Sequence, residues 1–450
     1  MKKSWICTIC GFVHEGDAPP EICVVCGAGA EAFQPEDQAE TAAPVNADIR
    51  RVVVVGGGVA GVSAAEAARK QAPEAEIVLF SAEEHLPYYR INLSRYLAGE
   101  ITKDELPIHP AGWYEENRID FRGGVPVAQL NAADRSVSGA FGVERADAIV
   151  LAVGAQAFRP PFEGSQQDGI LTVRTIEEAD RVLEWARNGK EIVCMGGGIL
   201  GIEAAGAIAR QGASVTLLEA LDWLMPRQLN KKASDKLAAF MLNQKIRFQA
   251  AFRTRSITRA NGRFVIAAED GRVVQADHIV ITAGIRSSLA LAKQAGLETK
   301  TGILVNSRLQ TSAPGLYAAG DAAEFQGVVS GLWTVAQYQG VMAGANAAGA
   351  SQTFGGIPRS NALKVLGVEL MSIGAFEPAD DGDVVIEAEY DHSYDRFVFQ
   401  QNRLAGAILL GDSSVGTAVK KAIEEQRDLK NLLHARPTAE QVRVALKTLM

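Results

Sequence analysis

Cysteine is scarce beyond the start of the chain. Of five, Cys7, Cys10, Cys23 and Cys26 crowd the first 26 residues and only Cys194 lies elsewhere, so the large remainder holds no cysteine pair. Cys194 itself falls in the apolar run Ile192-Val193-Cys194-Met195, which predicts a buried strand thiol. No apolar stretch approaches the roughly 18 uninterrupted residues of a membrane helix, which excludes such a span. Basic charge is not in excess: the net charge is -8, which argues against a nucleic-acid binder, since that function needs a basic patch. The first thirty residues show neither the h-region of a secretory signal nor a transit-peptide pattern. An apolar content of 47% excludes disordered and collagen-like chains. The expectation is a soluble, cytoplasmic protein of about three domains, at roughly 150 residues for each.

The charge is uneven. Residues 1–48 carry Lys2 and Lys3 against Glu15, Asp17, Glu21, Glu31, Glu36, Asp37, Glu40 and Asp48, a net of -6, leaving -2 for everything after. A small acidic module thus precedes a nearly neutral body. It suits either a solvated module or an acidic face that docks on a basic partner.

The four early cysteines form C-x2-C, twelve residues, then C-x2-C. That spacing predicts a tetrahedral four-thiolate metal site on Cys7, Cys10, Cys23 and Cys26, and by itself it suits zinc and iron equally. Trp5, Phe12, Ile22 and Phe33 are too few to hold thirty-odd residues folded, so metal ligation should be linked to folding. The segment from Trp5 to Ala28 resembles a rubredoxin, most closely the short rubredoxin domain that ends rubrerythrins. The resemblance implies one iron on these four thiolates, cycling between ferric and ferrous.

Residues 36–48 are acidic, Ala- and Pro-bearing and without apolar periodicity, which predicts a mobile linker. Beyond them, short Val/Ile-rich runs alternate with alanine-rich helical patterns, as in a parallel sheet flanked by helices. The chain then repeats itself: V-V-V-V-G-G-G-V-A-G at 52–61 and I-V-C-M-G-G-G-I-L-G at 192–201. One G-x-G-x-x-G is weak, but two in a strand–turn–helix context are strong. Gly56 and Gly196 make the tight turns, Gly58 and Gly198 admit a pyrophosphate, and Gly61 and Gly201 let helix and strand close up. The free N–H groups of each helix start then face the phosphates. In the second unit Glu219, ending Val215–Leu218, is placed to accept both ribose hydroxyls and to repel a 2′-phosphate, which favours NADH over NADPH. In the first unit the equivalent strand Ile77–Phe80 ends at Ser81, so Glu83 or Glu84 would have to reach the ribose from the loop.

Two such units in one chain resemble the flavoproteins with two dinucleotide-binding domains, which hold FAD in the first and NAD(P) in the second. Leu151-Ala152-Val153-Gly154 and Ile281-Thr282-Ala283-Gly284 are similar to the strands at which such chains cross between domains. Thr311-Ser312-Ala313-Pro314-Gly315-Leu316-Tyr317-Ala318-Ala319-Gly320-Asp321 is similar to their second FAD signature, and implies that Asp321 contacts the ribityl or pyrophosphate part of FAD. Members with a thiol relay carry cysteines soon after the first glycine turn. Here none lies between Cys26 and Cys194. The stretch Leu86-Pro87-Tyr88-Tyr89-Arg90-Ile91-Asn92-Leu93-Ser94 is similar to thiol-free members, among them NADH:rubredoxin reductases. Several of those have a lysine where this chain has Arg95. The resemblance adds Arg90, Gly154, Gly320, Glu203 at the nicotinamide amide and Trp333 near the isoalloxazine to the cofactor-binding set. Residues 358–450 resemble the C-terminal α/β domain of the rubredoxin reductase branch.

The expected fold is therefore α/β: two Rossmann-like domains, a C-terminal α/β domain and a small metal module. The expected division is 1–35 rubredoxin-like, 36–48 linker, 49–157 and 285–355 FAD-binding, 158–284 NAD-binding and 356–450 C-terminal. The expected activity passes electrons from NADH through FAD to an FeCys4 centre and on to an external redox protein, with rubrerythrin, superoxide reductase and flavodiiron types all compatible. Neither nucleic acid nor membrane is an expected partner, and the C-terminal domain could make a homodimer contact. Two other readings compete. One is an NADH oxidase or peroxide-linked flavoprotein with a structural metal module. The other is a non-enzymatic FAD- and NAD-sensing protein with a zinc ribbon.

Overall fold

Val52–Val54 and Ile149–Leu151 are apolar at every position, as strands buried on both faces must be, and each of these residues is fully buried. A computed structural model of the chain describes residues 3–7, 13–20, 30, 33–35, 49–355, 360–365 and 367–448. Among them, a first parallel sheet runs in the order Leu316–Ala318, Ala148–Leu151, Arg51–Val55, Glu76–Phe80 and Ile119–Arg122. A second runs Ile170–Leu171, His278–Ile281, Glu191–Met195, Ser214–Leu218 and Arg247–Gln249, also parallel. In each, the strand that leads into a glycine turn lies at the centre, so the turn opens at the carboxyl edge where ligands of open α/β sheets bind.

The chain crosses between the two sheets just after Gly154 and again just after Gly284. The two crossings, Ala155–Ala157 and Ile285–Ser287, pair with each other as an antiparallel ribbon. A third, antiparallel sheet follows in the order Ser360–Val365, Val368–Gly374, Arg403–Leu410, Tyr394–Gln400 and Val384–Glu389. Helices Gly416–Glu424 and Ala439–Thr448 bury their apolar stripes on it, through Val419, Val442 and Leu446. At the start of the chain, Lys3–Cys7 pairs antiparallel with Val13–Gly16 and Phe33–Pro35, and the Trp5 indole donates to the Gly16 carbonyl at 3.1 Å. Cys10, Cys23, Cys26, the Cys7 side chain and the linker at 36–48 lie outside the described residues. No helix among the described residues is long and apolar enough to cross a membrane.

One contact sets the height of the first glycine turn. Helix Trp333–Ala347 lies along helix Val59–Gln71, and a Cβ on Gly340 or Gly344 would sit 2.3 or 2.0 Å from the carbonyl oxygens of Ala60 and Ala64. These two glycines, four apart on one helix face, bring backbone against backbone. That closeness carries the Gly320-Asp321 segment to the start of the first helix, where a Cβ on Gly320 would lie 2.9 Å from the Ala60 methyl.

Candidate functional site

Strand, turn and helix meet identically in the two sheets because the same contacts forbid a side chain at the same places. A Cβ on Gly56 would lie 2.1 Å from the Ala152 carbonyl oxygen, and one on Gly196 2.6 Å from that of Thr282. Both glycines have positive φ, 122° and 120°, which an L side chain rarely adopts. A Cβ on Gly61 or Gly201 would fall 1.8 Å from the carbonyl oxygen of Gly56 or Gly196. At Gly58 and Gly198 the situation reverses: nothing lies within 4 Å of an added Cβ. Each is the N-cap of its helix, without a side-chain cap, so the N–H groups of the first turn are left for a ligand. This is the cradle a pyrophosphate fits, and both copies open into one cavity of about 1900 Å³.

The wall of that cavity holds Gly56, Gly58, Glu83, Arg90, Gly154, Gly196, Gly198, Glu203, Glu219, Gly320, Asp321 and Trp333. Gly61 and Gly201 stand behind it, packing helix to strand. Glu84 does not line it. At the end of the second sheet's strand, Glu219 is 8% exposed and both carboxylate oxygens are held by backbone. Oε2 accepts from Gly197 N–H at 2.6 Å and Oε1 from Leu221 N–H at 2.8 Å. In the first sheet Ser81 takes the corresponding place, and a Cβ on Gly57 would meet its side chain at 2.6 Å. Glu83 is drawn into a polar cluster: it accepts from the Tyr88 hydroxyl at 2.7 Å and from Arg90 at 2.5 Å. Arg90 also donates to the Tyr88 oxygen and to the Arg174 carbonyl. Burial opposes the charge on Arg90, but Tyr88 and Glu83 hold its pKa above the ordinary value.

Arg174 belongs to the loop that enters the second sheet's first helix, yet its guanidinium reaches Asp321 at 3.3 Å. The second FAD-type signature is thus joined to the other half of the molecule through an ion pair. Asp321 is fixed from behind as well, its carbonyl accepting from Ser287 Oγ at 2.7 Å while Gly320 N–H donates to Gln339 Oε1 at 2.9 Å. The sequence reading missed Arg174, Gln339 and Ser287, and only the pair Gly340 and Gly344 left a readable signal, a G-x-x-x-G spacing.

Glu203, on the helix after the second turn, and Trp333 line the same cavity. Trp333 opens its helix and leans on Tyr89, ring centroids 5.5 Å apart. Arg95 pairs with Glu100 at 3.4 Å, and Arg210 donates to the same carboxylate. Burial pushes the Glu203 carboxyl up to about 7; the bond from Ser94 pulls it back, and the Glu100 carboxylate reinforces the rise. The unfolded carboxyl titrates near 4.5, so between there and about 7 the unfolded chain sheds a proton that the folded chain keeps, and stability falls as pH rises. Relative to Glu203→Gln, the wild type should therefore lose melting temperature from about pH 5 to about pH 7 and then run parallel. Paired melting curves across that range check this, and a constant gap would refute it.

Two glycine-turn folds that share one cavity define a chain shaped to hold two dinucleotides against each other. The chain belongs to the pyridine nucleotide-disulphide oxidoreductase family, whose model matches residues 50–340. Residues 360–427 match the rubredoxin NAD+ reductase C-terminal domain, and residues 5–34 the rubredoxin-like domain of rubrerythrin. The chain is 31% identical to a nitrite reductase [NAD(P)H] of Bacillus subtilis over 84% of its own length and 48% of that protein's. It is 29% identical to an NADH-rubredoxin oxidoreductase of Clostridium acetobutylicum, over 85% of this chain and 96% of that one. The crystal structure of the NADH:rubredoxin oxidoreductase from Clostridium acetobutylicum superposes with a TM-score of 0.72 at 26% identity, covering 87% of this chain and 98% of the other. The chain spans about half the length of the nitrite reductase it matches.

Proposed function

We propose that the chain is an NADH-dependent FAD oxidoreductase that passes electrons to its own rubredoxin-like segment, with one iron on Cys7, Cys10, Cys23 and Cys26, and from there to an external redox protein. One observation carries the reading. Both pyrophosphate cradles open into a single cavity, in a chain that has four closely spaced cysteines at one end and no cysteine pair near the first turn. FAD, when bound, supplies the exchange between a two-electron hydride and single electrons. The protein supplies placement.

The first turn, with Gly320 and Asp321, would hold the flavin dinucleotide, and Arg90 and Glu83 would keep its loop in position. The second turn would hold the pyridine nucleotide, with Glu219 accepting from its adenosine ribose. A carboxylate already fixed by two N–H groups disfavours a 2′-phosphate there, which supports NADH over NADPH. Glu203 would accept from the nicotinamide amide, and Trp333 would wall off the opposite side from water. No side-chain acid or base is required for hydride transfer.

Metal analysis with an anaerobic NADH titration tests the proposal. The expected result is one iron per chain, with ferric-thiolate bands that bleach along with the flavin. Zinc in place of iron would favour the sensing or structural-module readings. Iron that stays oxidised beside reduced flavin would overturn the internal transfer.

A further inference from the structure

The segment from Ala220 to Asn230 was not singled out by any motif, yet it lies directly on the second glycine turn. Met225 N–H donates to the Gly197 carbonyl at 2.9 Å, while Gly197 N–H is taken by Glu219. The Leu224 side chain presses on the same glycine: a Cβ on Gly197 would lie 2.9 Å from it. The segment thereby holds the carbonyl of the turn's middle residue, whose N–H is held by Glu219 just before it, and Met225, Pro226, Arg227 and Gln228 go on to line the cavity.

Holding that segment in place takes support. Met225 is 1% exposed and has φ +50°, a left-handed backbone for a side chain with no freedom to relax into solvent. Such a conformation persists only where the surroundings over-determine it. Inside the segment, Gln228 and Leu229 N–H both donate to the Met225 carbonyl at 2.8 Å. From outside, Leu224 N–H donates to Ser234 Oγ and Ala251 N–H to the Leu221 carbonyl, each at 2.8 Å, and the end of the segment is held by the antiparallel C-terminal sheet. Ser372 Oγ donates to the Gln228 carbonyl at 2.6 Å, and Asn230 Nδ2 donates to the Tyr394 hydroxyl oxygen at 2.7 Å. Ser372 is 3% exposed and Tyr394 fully buried, so both hydroxyls are shielded from water and the loss of either leaves its partner under-satisfied. Tyr394 is braced in turn by donating to Glu387 at 2.8 Å.

We propose that the C-terminal sheet acts as a strut for the nucleotide turn, and that Ser372 and Tyr394 are positioning residues for the pyridine nucleotide, acting through Gln228, Asn230 and Met225 on Gly197. The inference rests on the reading that the second turn takes NAD(H). It assigns to residues more than 140 positions away from the glycine motif a part in nucleotide affinity.

The test compares Ser372→Ala, Tyr394→Phe and Lys236→Ala in the full FAD-loaded chain. Lys236 joins the same two parts of the molecule, donating to the Tyr390 carbonyl at 2.5 Å, but makes no bond to the 220–230 segment. Loss of the bond to Gln228 in Ser372→Ala, and of the bonds to Asn230 and Glu387 in Tyr394→Phe, should each raise the Kd for NADH by about three- to tenfold. FAD content and the limiting rate of flavin reduction at saturating NADH should stay at wild-type values, and Lys236→Ala should bind NADH like the wild type. An unchanged Kd in both Ser372→Ala and Tyr394→Phe, an equal rise in Lys236→Ala, or loss of FAD from both hydroxyl variants would overturn the strut. A wild-type chain with no measurable NADH binding would instead overturn the reading beneath it.

Discussion

A chain carrying Gly201→Val is expected to keep its FAD and to lose most of its affinity for NADH, whereas Gly61→Val should fail to hold FAD at all. The cause is steric and local. At Gly201 the first side-chain carbon alone would stand 1.8 Å from the Gly196 carbonyl oxygen and 2.7 Å from Thr282 Oγ1. Neither neighbour can move without opening the central strand or the turn itself, so helix Ile199–Arg210 must shift away from strand Glu191–Met195. Overpacking of this kind costs about 1–3 kcal/mol, which, if it falls on the bound geometry, weakens nucleotide binding by roughly ten- to a hundredfold. The first sheet does not feel it, because its own turn closes on different atoms: a Cβ on Gly61 would meet the Gly56 carbonyl oxygen at 1.8 Å and Leu79 at 3.4 Å. Flavin absorbance of the purified variants and an anaerobic NADH titration separate the two outcomes. Equal loss of FAD from both would show that the turns are not independent sites.

The same geometry explains which parts of the molecule could be read without coordinates. A glycine turn is legible because its glycines fall at one short spacing, Gly56, Gly58 and Gly61 or Gly196, Gly198 and Gly201: the first has positive φ, the second leaves open space and the third would clash with the carbonyl of the first. The carboxylate after the second unit is legible for a similar reason: Glu219 lies at the end of the neighbouring strand in a fixed register, Met195 opposite Leu218. Where that register delivers Ser81, the pattern offers only the loop acids Glu83 and Glu84, and Glu83 is bonded to Tyr88 and Arg90. Arg174 on Asp321, 147 positions apart, has no local signal, since nothing in either segment requires the other. The support of the 220–230 segment by Ser372 and Tyr394 is illegible on the same grounds. Hydroxyls on buried strands read as ordinary sheet residues until the opposing carbonyl or amide is seen. The C-terminal region was foreseen as α/β only by resemblance, and its order of five antiparallel strands comes from register and hairpin closure rather than from any motif.

Replacing Cys7 and Cys10 together by serine should separate the two halves of the proposed electron path. The flavin would still be reduced by NADH, because both glycine turns and every described residue of the shared cavity lie beyond the first 48 residues. The early segment would lose half of its four thiolate donors. Its described strands contribute little that could compensate: Lys3–Cys7 is flanked by one four-residue and one three-residue strand, and Phe33 is its one described buried apolar side chain. Metal ligation in such small modules is worth about 10–16 kcal/mol for a four-ligand zinc site, which makes binding and folding one event. Loss of two ligands should therefore abolish both the metal and its visible bands. Reduction of an added one-electron protein acceptor should then fall by about ten- to a hundredfold, because the proposed tethered carrier would work at an effective millimolar concentration that a dissolved carrier at tens of micromolar does not match. Stopped-flow traces at the flavin and thiolate bands, recorded anaerobically with and without the acceptor, measure both halves in one experiment. Undiminished acceptor reduction in the serine variant would mean that electrons leave the flavin directly, and the four cysteines would then serve structure or recognition alone.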